Sequence, residues 1–192
     1  MKKLNLFLIT AAVAGSLQAC SSHKSGSNAD STTVKTDSTT VVKTDSSANV
    51  LSDTAFAAKA AVGGMAEVAL GKMAAAKSTD SKIKDFGNMM VMDHGKANAE
   101  LMTIAKSKNI TLPASLDAEH QAKSDSLSKL SGKDFNAAYV NAMIEGHKKT
   151  LALMQSEATN GKEADLKAFA AKTAPVVQTH LAKIQQIHDS MK

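Results

Sequence analysis

The sequence has 192 residues, a formal net charge of +5, one cysteine and no tryptophan, and all 23 of its basic residues are lysine. Without arginine and with 3% aromatic residues, it lacks the guanidinium groups that grip phosphate and the rings that stack on bases, so we expect no nucleic-acid partner. Acidic residues are interspersed among the lysines, which indicates a solvated surface rather than a charged binding patch.

Residues 1–19 have the composition of a secretory signal peptide. Two lysines precede a short apolar run, MKKLNLFLITAAVAGSLQA, which is too short to span a membrane. The segment Leu17-Gln18-Ala19-Cys20 resembles a bacterial lipobox, with Gln18 where a small residue is usual. The resemblance implies that Cys20 becomes the first mature residue and carries the lipid, which leaves no free thiol. Secretion after cleavage near Ala19, without a lipid, is the alternative.

Residues 20–50 are predicted to form a disordered tether. They are rich in Ser, Thr, Lys and Asp and contain the near repeat TTVKTDS and TTVVKTDS. Such a segment buries too little apolar surface to offset the entropy lost on ordering. We expect it to hold a folded domain, residues 51–192, away from the membrane that the lipid on Cys20 enters.

From residue 51 onward, apolar residues recur with the spacing of amphipathic helices. Long helices are predicted at about 53–77, 79–108, 133–158 and 163–190, with a short one at about 117–130. No strand pattern competes with them. The predicted fold is therefore all-α, an antiparallel four-helix bundle with a short extra helix between its second and third long helices. Pro175 predicts a kink in the last helix.

Each long helix carries one polar residue near the middle of its apolar seam. These residues are Glu67, His94, His147 and His180. Because the middles of bundled helices coincide in height, the four are predicted to form one layer across the core. Imidazole and carboxylate groups suit Zn, Fe, Mn or Cu, so this polar layer is a candidate site for one transition metal or a small ligand. The alternative is a dry His–Glu hydrogen-bond network that fixes helix register.

Four further residues are predicted to surround these candidate ligands. Met90 and Met143 each lie one turn before a histidine of the layer, and Asp93 lies next to His94 in sequence. Tyr139 lies two turns before His147 and is expected at the edge of the seam. Thioether groups can bind Cu(I), but methionine also fills irregular helical cores, and we favour the second interpretation.

Several segments together carry a family resemblance. They are Phe56, Glu67, MMVMDHGKANAEL, FNAAYVNAMIEGHKKTLALMQSEA and LKAFAAKTAPVVQTHL. Over about residues 53–188 the chain resembles the bacterial family of domain of unknown function 4142. The resemblance implies a ferritin-like bundle in the cell envelope, attached to the outer membrane and facing the periplasm. It implies no known reaction.

The sequence does not predict an enzyme. A ferritin-like di-iron centre needs a glutamate three residues before a histidine on two helices, and Val91, Ile144 and Val177 occupy those positions here. A Ser–His–Asp spacing signature is also missing. The function expected is an envelope lipoprotein that binds a metal or small ligand in the polar layer, or else a non-catalytic structural or interaction module.

Overall fold

The structure, a computed structural model, describes residues 51–191. It contains five α-helices, and none of the described residues forms a strand, which confirms the all-α prediction. The helices are α1 (Asp53–Lys77), α2 (Ser81–Ser107), α3 (Ala118–Ser128), α4 (Gly132–Asn160) and α5 (Ala164–Asp189). No helix within residues 51–191 has both the length and the apolar character needed to cross a membrane. The segments predicted to be a signal peptide and a tether, and the predicted lipid site Cys20, lie outside the described residues.

Side-chain caps explain where four of the helices begin. Ser52 accepts a hydrogen bond from the backbone N–H of the third residue after it, and Asp80, Asp117 and Glu163 cap α2, α3 and α5 in the same manner. Such caps satisfy backbone donors that have no partner within the helix. The observed ends differ from the predicted ones by at most two residues. Helix α5 continues through Pro175.

The four long helices pack side by side, each against two others. Helix α1 contacts α2 and α4, α5 contacts α4 and α2, and the short α3 lies against α1 and α4. Helices α1 and α2 approach closely at Gly71 and Gly87, where a Cβ atom on Gly87 would lie 2.6 Å from the carbonyl oxygen of Gly71. Glycine at both positions therefore lets these two backbones touch.

Two apolar clusters fill the core on either side of the polar layer. One contains Met90, Met143 and Ile184, and the other contains Leu101 and Met154. In chain order, the polar residue of each long helix falls between the residues that the helix contributes to the two clusters. The layer is therefore enclosed by apolar packing above and below.

Tyr139 is a correction to the sequence prediction. Expected at the edge of the seam, it is fully buried, stacked on Phe135 and edge-on to Phe86. Helical spacing also did not single out the buried phenylalanines as core residues; these are Phe56, Phe86, Phe135 and Phe169. Their large rings reach the core from positions beside the seam, which spacing alone does not show.

Candidate metal centre

The fold brings Glu67, His94, His147 and His180 together in one buried layer. The exposed fractions of the four residues are 4%, 5%, 0% and 2%. The three imidazole rings lie with their centroids 5.3 to 5.6 Å apart. One ring nitrogen from each histidine lies within 4.8 Å of those of the other two.

His147 has one nitrogen engaged and the other free of hydrogen bonds. Its Nδ1 lies 2.9 Å from the backbone carbonyl oxygen of Met143, which can only accept, so Nδ1 carries the proton and donates. Burial lowers the pKa of His147, although the nearby Glu67 carboxylate opposes the shift. The ring is therefore neutral near pH 7, and its Nε2, which has no hydrogen-bond partner, holds a lone pair.

His180 shows the same arrangement with its nitrogens exchanged. Its Nε2 lies 3.0 Å from Oδ2 of Asp93, a carboxylate acceptor, and its Nδ1 has no hydrogen-bond partner. Burial lowers the pKa of His180 to about 4, even though the bond to Asp93 works in the opposite direction. A second neutral imidazole therefore presents a lone pair inside the core.

His94 is held beside the carboxylate of Glu67. Its Nδ1 lies 2.9 Å from Oε2, so the ring and the carboxylate are in direct polar contact. Burial alone would raise the pKa of Glu67, but His94 and the other two imidazoles outweigh it and lower that pKa below its ordinary value. Glu67 is thus a carboxylate at neutral pH. Nε2 of His94 has no hydrogen-bond partner.

The structure places Glu67 at the edge of the histidine cluster rather than within it. Its Oε1 accepts a hydrogen bond from Thr150 at 3.4 Å and lies 3.5 Å from Nδ1 of His147. The compact set of potential ligand atoms consists of the three histidines only. The sequence treated Glu67 as an equal member of the ligand set, whereas its position beside His94 suits a supporting carboxylate.

The other predicted surroundings of the site fall in different places. Asp93 lies directly behind His180, and Met143 supplies the carbonyl oxygen behind His147. Met90 belongs to the apolar cluster that also contains Ile184, which fits a methionine that fills the core. Phe86, which helical spacing did not predict near the site, has its ring centroid 5.9 Å from that of His147. It covers one flank of the imidazoles with apolar surface.

The buried hydroxyl of Tyr139 has no hydrogen-bond partner within the described residues. Burial and the negative charge of Glu67 both raise the pKa of this phenol. Tyr139 therefore remains protonated across the physiological range. Phe86 lies against both Tyr139 and the histidines, so the phenol flanks the layer from beyond that ring.

Two solved structures resemble this chain in fold. "CopM in the Cu(II)-bound form" aligns with a TM-score of 0.64 and 14% identity, covering 74% of this chain and 99% of that one. A DUF305 fragment from Deinococcus radiodurans aligns with a TM-score of 0.65 and 10% identity, covering 72% and 95%. At such low identity the likeness concerns the fold alone. Comparison with curated protein sequences gives no match.

The family comparison agrees with the resemblance seen in the sequence. The family described as "Domain of unknown function (DUF4142)" matches residues 37–187, which include all four residues of the polar layer. The match extends over most of the chain, and the chain therefore belongs to the family of domain of unknown function 4142.

Proposed function

We propose that this protein is an envelope lipoprotein that binds one transition-metal ion through His94, His147 and His180. One observation carries the proposal: each of these buried imidazoles has a ring nitrogen without a hydrogen-bond partner, in a cluster compact enough to share one ion. Buried polar atoms without partners are costly and uncommon. A bound metal would satisfy all three at once.

The assignment of the ligand atoms follows from the partners of the other nitrogens. We infer that the ligands are Nε2 of His94, Nε2 of His147 and Nδ1 of His180, because these are the unpartnered atoms. Each opposite nitrogen faces an acceptor: Glu67, the Met143 carbonyl and Asp93 in turn. Metal-binding histidines in proteins are commonly oriented by such acceptors.

Charge favours a divalent ion in this site. His147 and His180 are neutral imidazoles, and the carboxylates of Glu67 and Asp93 stand immediately behind His94 and His180. Because these two carboxylates stand directly behind ligands, their two negative charges offset the two positive charges of a divalent ion in a poorly solvated core. Imidazole suits zinc, copper, iron and nickel, so the donor set alone does not choose among them.

Copper is the first metal to test. The fold neighbour CopM is described in a Cu(II)-bound form, and three imidazole nitrogens are suitable ligands for that ion. Zinc is the natural second metal, because it also prefers imidazole and has no redox chemistry to complicate measurement. We also propose that the four long helices form the ferritin-like bundle that the family resemblance implies.

The location of the protein is proposed from the sequence. We infer that lipid on Cys20 attaches the chain to the outer membrane, with residues 20–50 as a spacer and the helices facing the periplasm. A metal-binding domain held in this way would meet ions that enter the envelope. In this role the protein binds and retains the ion, and none of its residues is assigned a catalytic part.

Equilibrium dialysis of the untagged full chain against Cu²⁺ or Zn²⁺, followed by elemental analysis, tests the metal proposal. We expect one tightly bound ion per chain in the wild type and none in His147→Ala. His120→Ala is the matched control, because His120 lies on α3 and pairs with Asp117 outside the layer. Absence of bound metal in the wild type would leave the polar layer as a dry network that fixes helix register.

A further inference from the structure

A groove about 620 Å³ in volume runs between α1 and α4, with α3 and the segment before it along one side. Its walls are formed largely by small or apolar residues, including Val62 and Ala66 on α1 and Ala142 on α4. Lys59 and Lys149 lie along it. We refer to this cavity as the α1–α4 groove.

Glu67 connects the groove to the polar layer. It lines the groove, and its Oε2 also lies 2.9 Å from Nδ1 of His94. Thr150 and Met143, which also line the groove, contact Glu67 and His147 respectively. The histidines themselves are at most 5% exposed, so an ion has to pass other side chains to reach them. A carboxylate on that path attracts a cation and replaces part of its hydration shell.

Two glycines keep the groove open in front of Glu67. A Cβ atom on Gly146 would lie 3.9 Å from Oε1 of Glu67, and one on Gly63 would lie 3.9 Å from Oγ1 of Thr150. These are ordinary contact distances, so a Cβ atom fits at either position, and the rest of a larger side chain would extend from it into the groove. Such a side chain would occupy the space through which Glu67 is reached.

We propose that the α1–α4 groove is the access path for the metal ion and that Glu67 passes the ion from the groove to the three imidazoles. The inference rests on the proposed metal binding and adds the route and the positioning residue. The competing route is on the opposite side of the layer, where Asp93, 35% exposed at its side chain, stands behind His180.

The experiment measures the rates of zinc loading and release by stopped flow, with a chromophoric chelator as the indicator. The groove variants are Gly146→Leu and Gly63→Leu in the full chain. Gly95→Leu is the matched control, because it adds the same side chain to α2, near Asp93, where a Cβ atom would meet nothing within 4 Å. Circular dichroism confirms that each variant is folded.

We expect both groove variants to load and release zinc roughly tenfold or more slowly than wild type, because a blocked path slows both directions. Their equilibrium dissociation constants should match that of wild type, since the ligands are untouched. Gly95→Leu should behave like wild type. If Gly146→Leu fails to fold, Gly63→Leu decides the question alone, because its position is on a different helix.

Three outcomes would overturn the proposal in different ways. Wild-type loading rates in the groove variants, or slow loading in Gly95→Leu alone, would show that ions enter elsewhere while metal binding itself stands. Faster release with weakened affinity would show that the leucines damage the site rather than block a path. If the wild type binds no zinc, both the proposed function and the route fail together.

Discussion

Asp93 and His180 form a pair across two helices, with Oδ2 of the carboxylate 3.0 Å from Nε2 of the ring. Asp93 is on α2, one residue before His94, and His180 is on α5. The pairing assigns the ring proton to Nε2 and leaves Nδ1 without a partner in the core. Through Asp93, helix α2 therefore orients His180, which lies on α5.

Removal of Asp93 should therefore weaken metal binding although Asp93 is not a ligand. We expect Asp93→Ala to raise the dissociation constant for zinc by about 10- to 100-fold, as loss of an orienting partner does in other metal sites. Asp85→Ala is the control, because Asp85 is an exposed carboxylate on the same helix. Isothermal titration with a competing chelator measures both. Equal affinities in the two variants would mean that the pair does not orient a ligand.

The contact between α1 and α2 should tolerate no side chain at Gly87. A Cβ atom there would lie 2.6 Å from the carbonyl oxygen of Gly71, so the helices would have to separate. We expect Gly87→Ala to lower the free energy of unfolding by about 1–3 kcal/mol through overpacking. Gly95→Ala, at an open position, should raise it by about 0.5–1 kcal/mol through helix propensity. Urea unfolding measures both, and a Gly87→Ala protein as stable as Gly95→Ala would contradict the close approach.

Glu157 should make the protein less stable as the pH rises. It is 4% exposed, and burial, with Asp53 and Glu163 nearby, raises its pKa to about 7 from an ordinary value of 4.5. Between these values the folded state binds the proton that the unfolded state has released, so stability falls as the pH rises through this range. Below pH 4.5 Glu157 is protonated in both the folded and the unfolded state, so its burial no longer lowers the stability of the protein.

Glu157→Gln should remove this dependence. We expect it to raise the free energy of unfolding by about 1–2 kcal/mol at pH 8 and to leave it almost unchanged at pH 4.5. Glu119→Gln, at an exposed position on α3, controls for the loss of a charge. Denaturant titrations at the two pH values measure the effect. A stabilisation that is the same at both would show that Glu157 does not titrate as described.

The proposed anchor depends on one sulfur atom. Without the thiol of Cys20 no lipid can be added, and the residues that follow carry little apolar surface to replace it. We expect Cys20→Ser to move the protein from the membrane to the soluble fraction of the envelope, with its helical circular dichroism unchanged. A variant that stays with the membrane after a salt wash would refute the anchor.

Helical spacing was sufficient to predict which polar residues share the layer. Glu67, His94, His147 and His180 each stand on an apolar seam near the middle of a helix, and helices of similar length bring their middles to one height. The all-α fold and the family resemblance followed from the same residues and are confirmed. The metal itself remains a prediction.

Helix rotation and side-chain reach lie beyond what spacing can show. Asp93 is about 100° from the seam of α2, yet its carboxylate reaches His180 because α5 packs on that side. Glu67 shares the height of the histidines but is turned toward Thr150 and the groove. The groove depends on small residues of two helices that are distant in sequence, so no single segment of the sequence predicts it.

The most direct test of the central claim is X-ray absorption spectroscopy at the zinc edge on the full chain loaded with one equivalent of Zn²⁺. The account predicts three imidazole ligands with zinc–nitrogen distances of about 2.0–2.1 Å, and no sulfur. In His147→Ala the zinc should be lost, as in the dialysis experiment. A wild-type spectrum with a sulfur ligand, or with fewer than two imidazoles, would contradict the assignment of the ion to His94, His147 and His180.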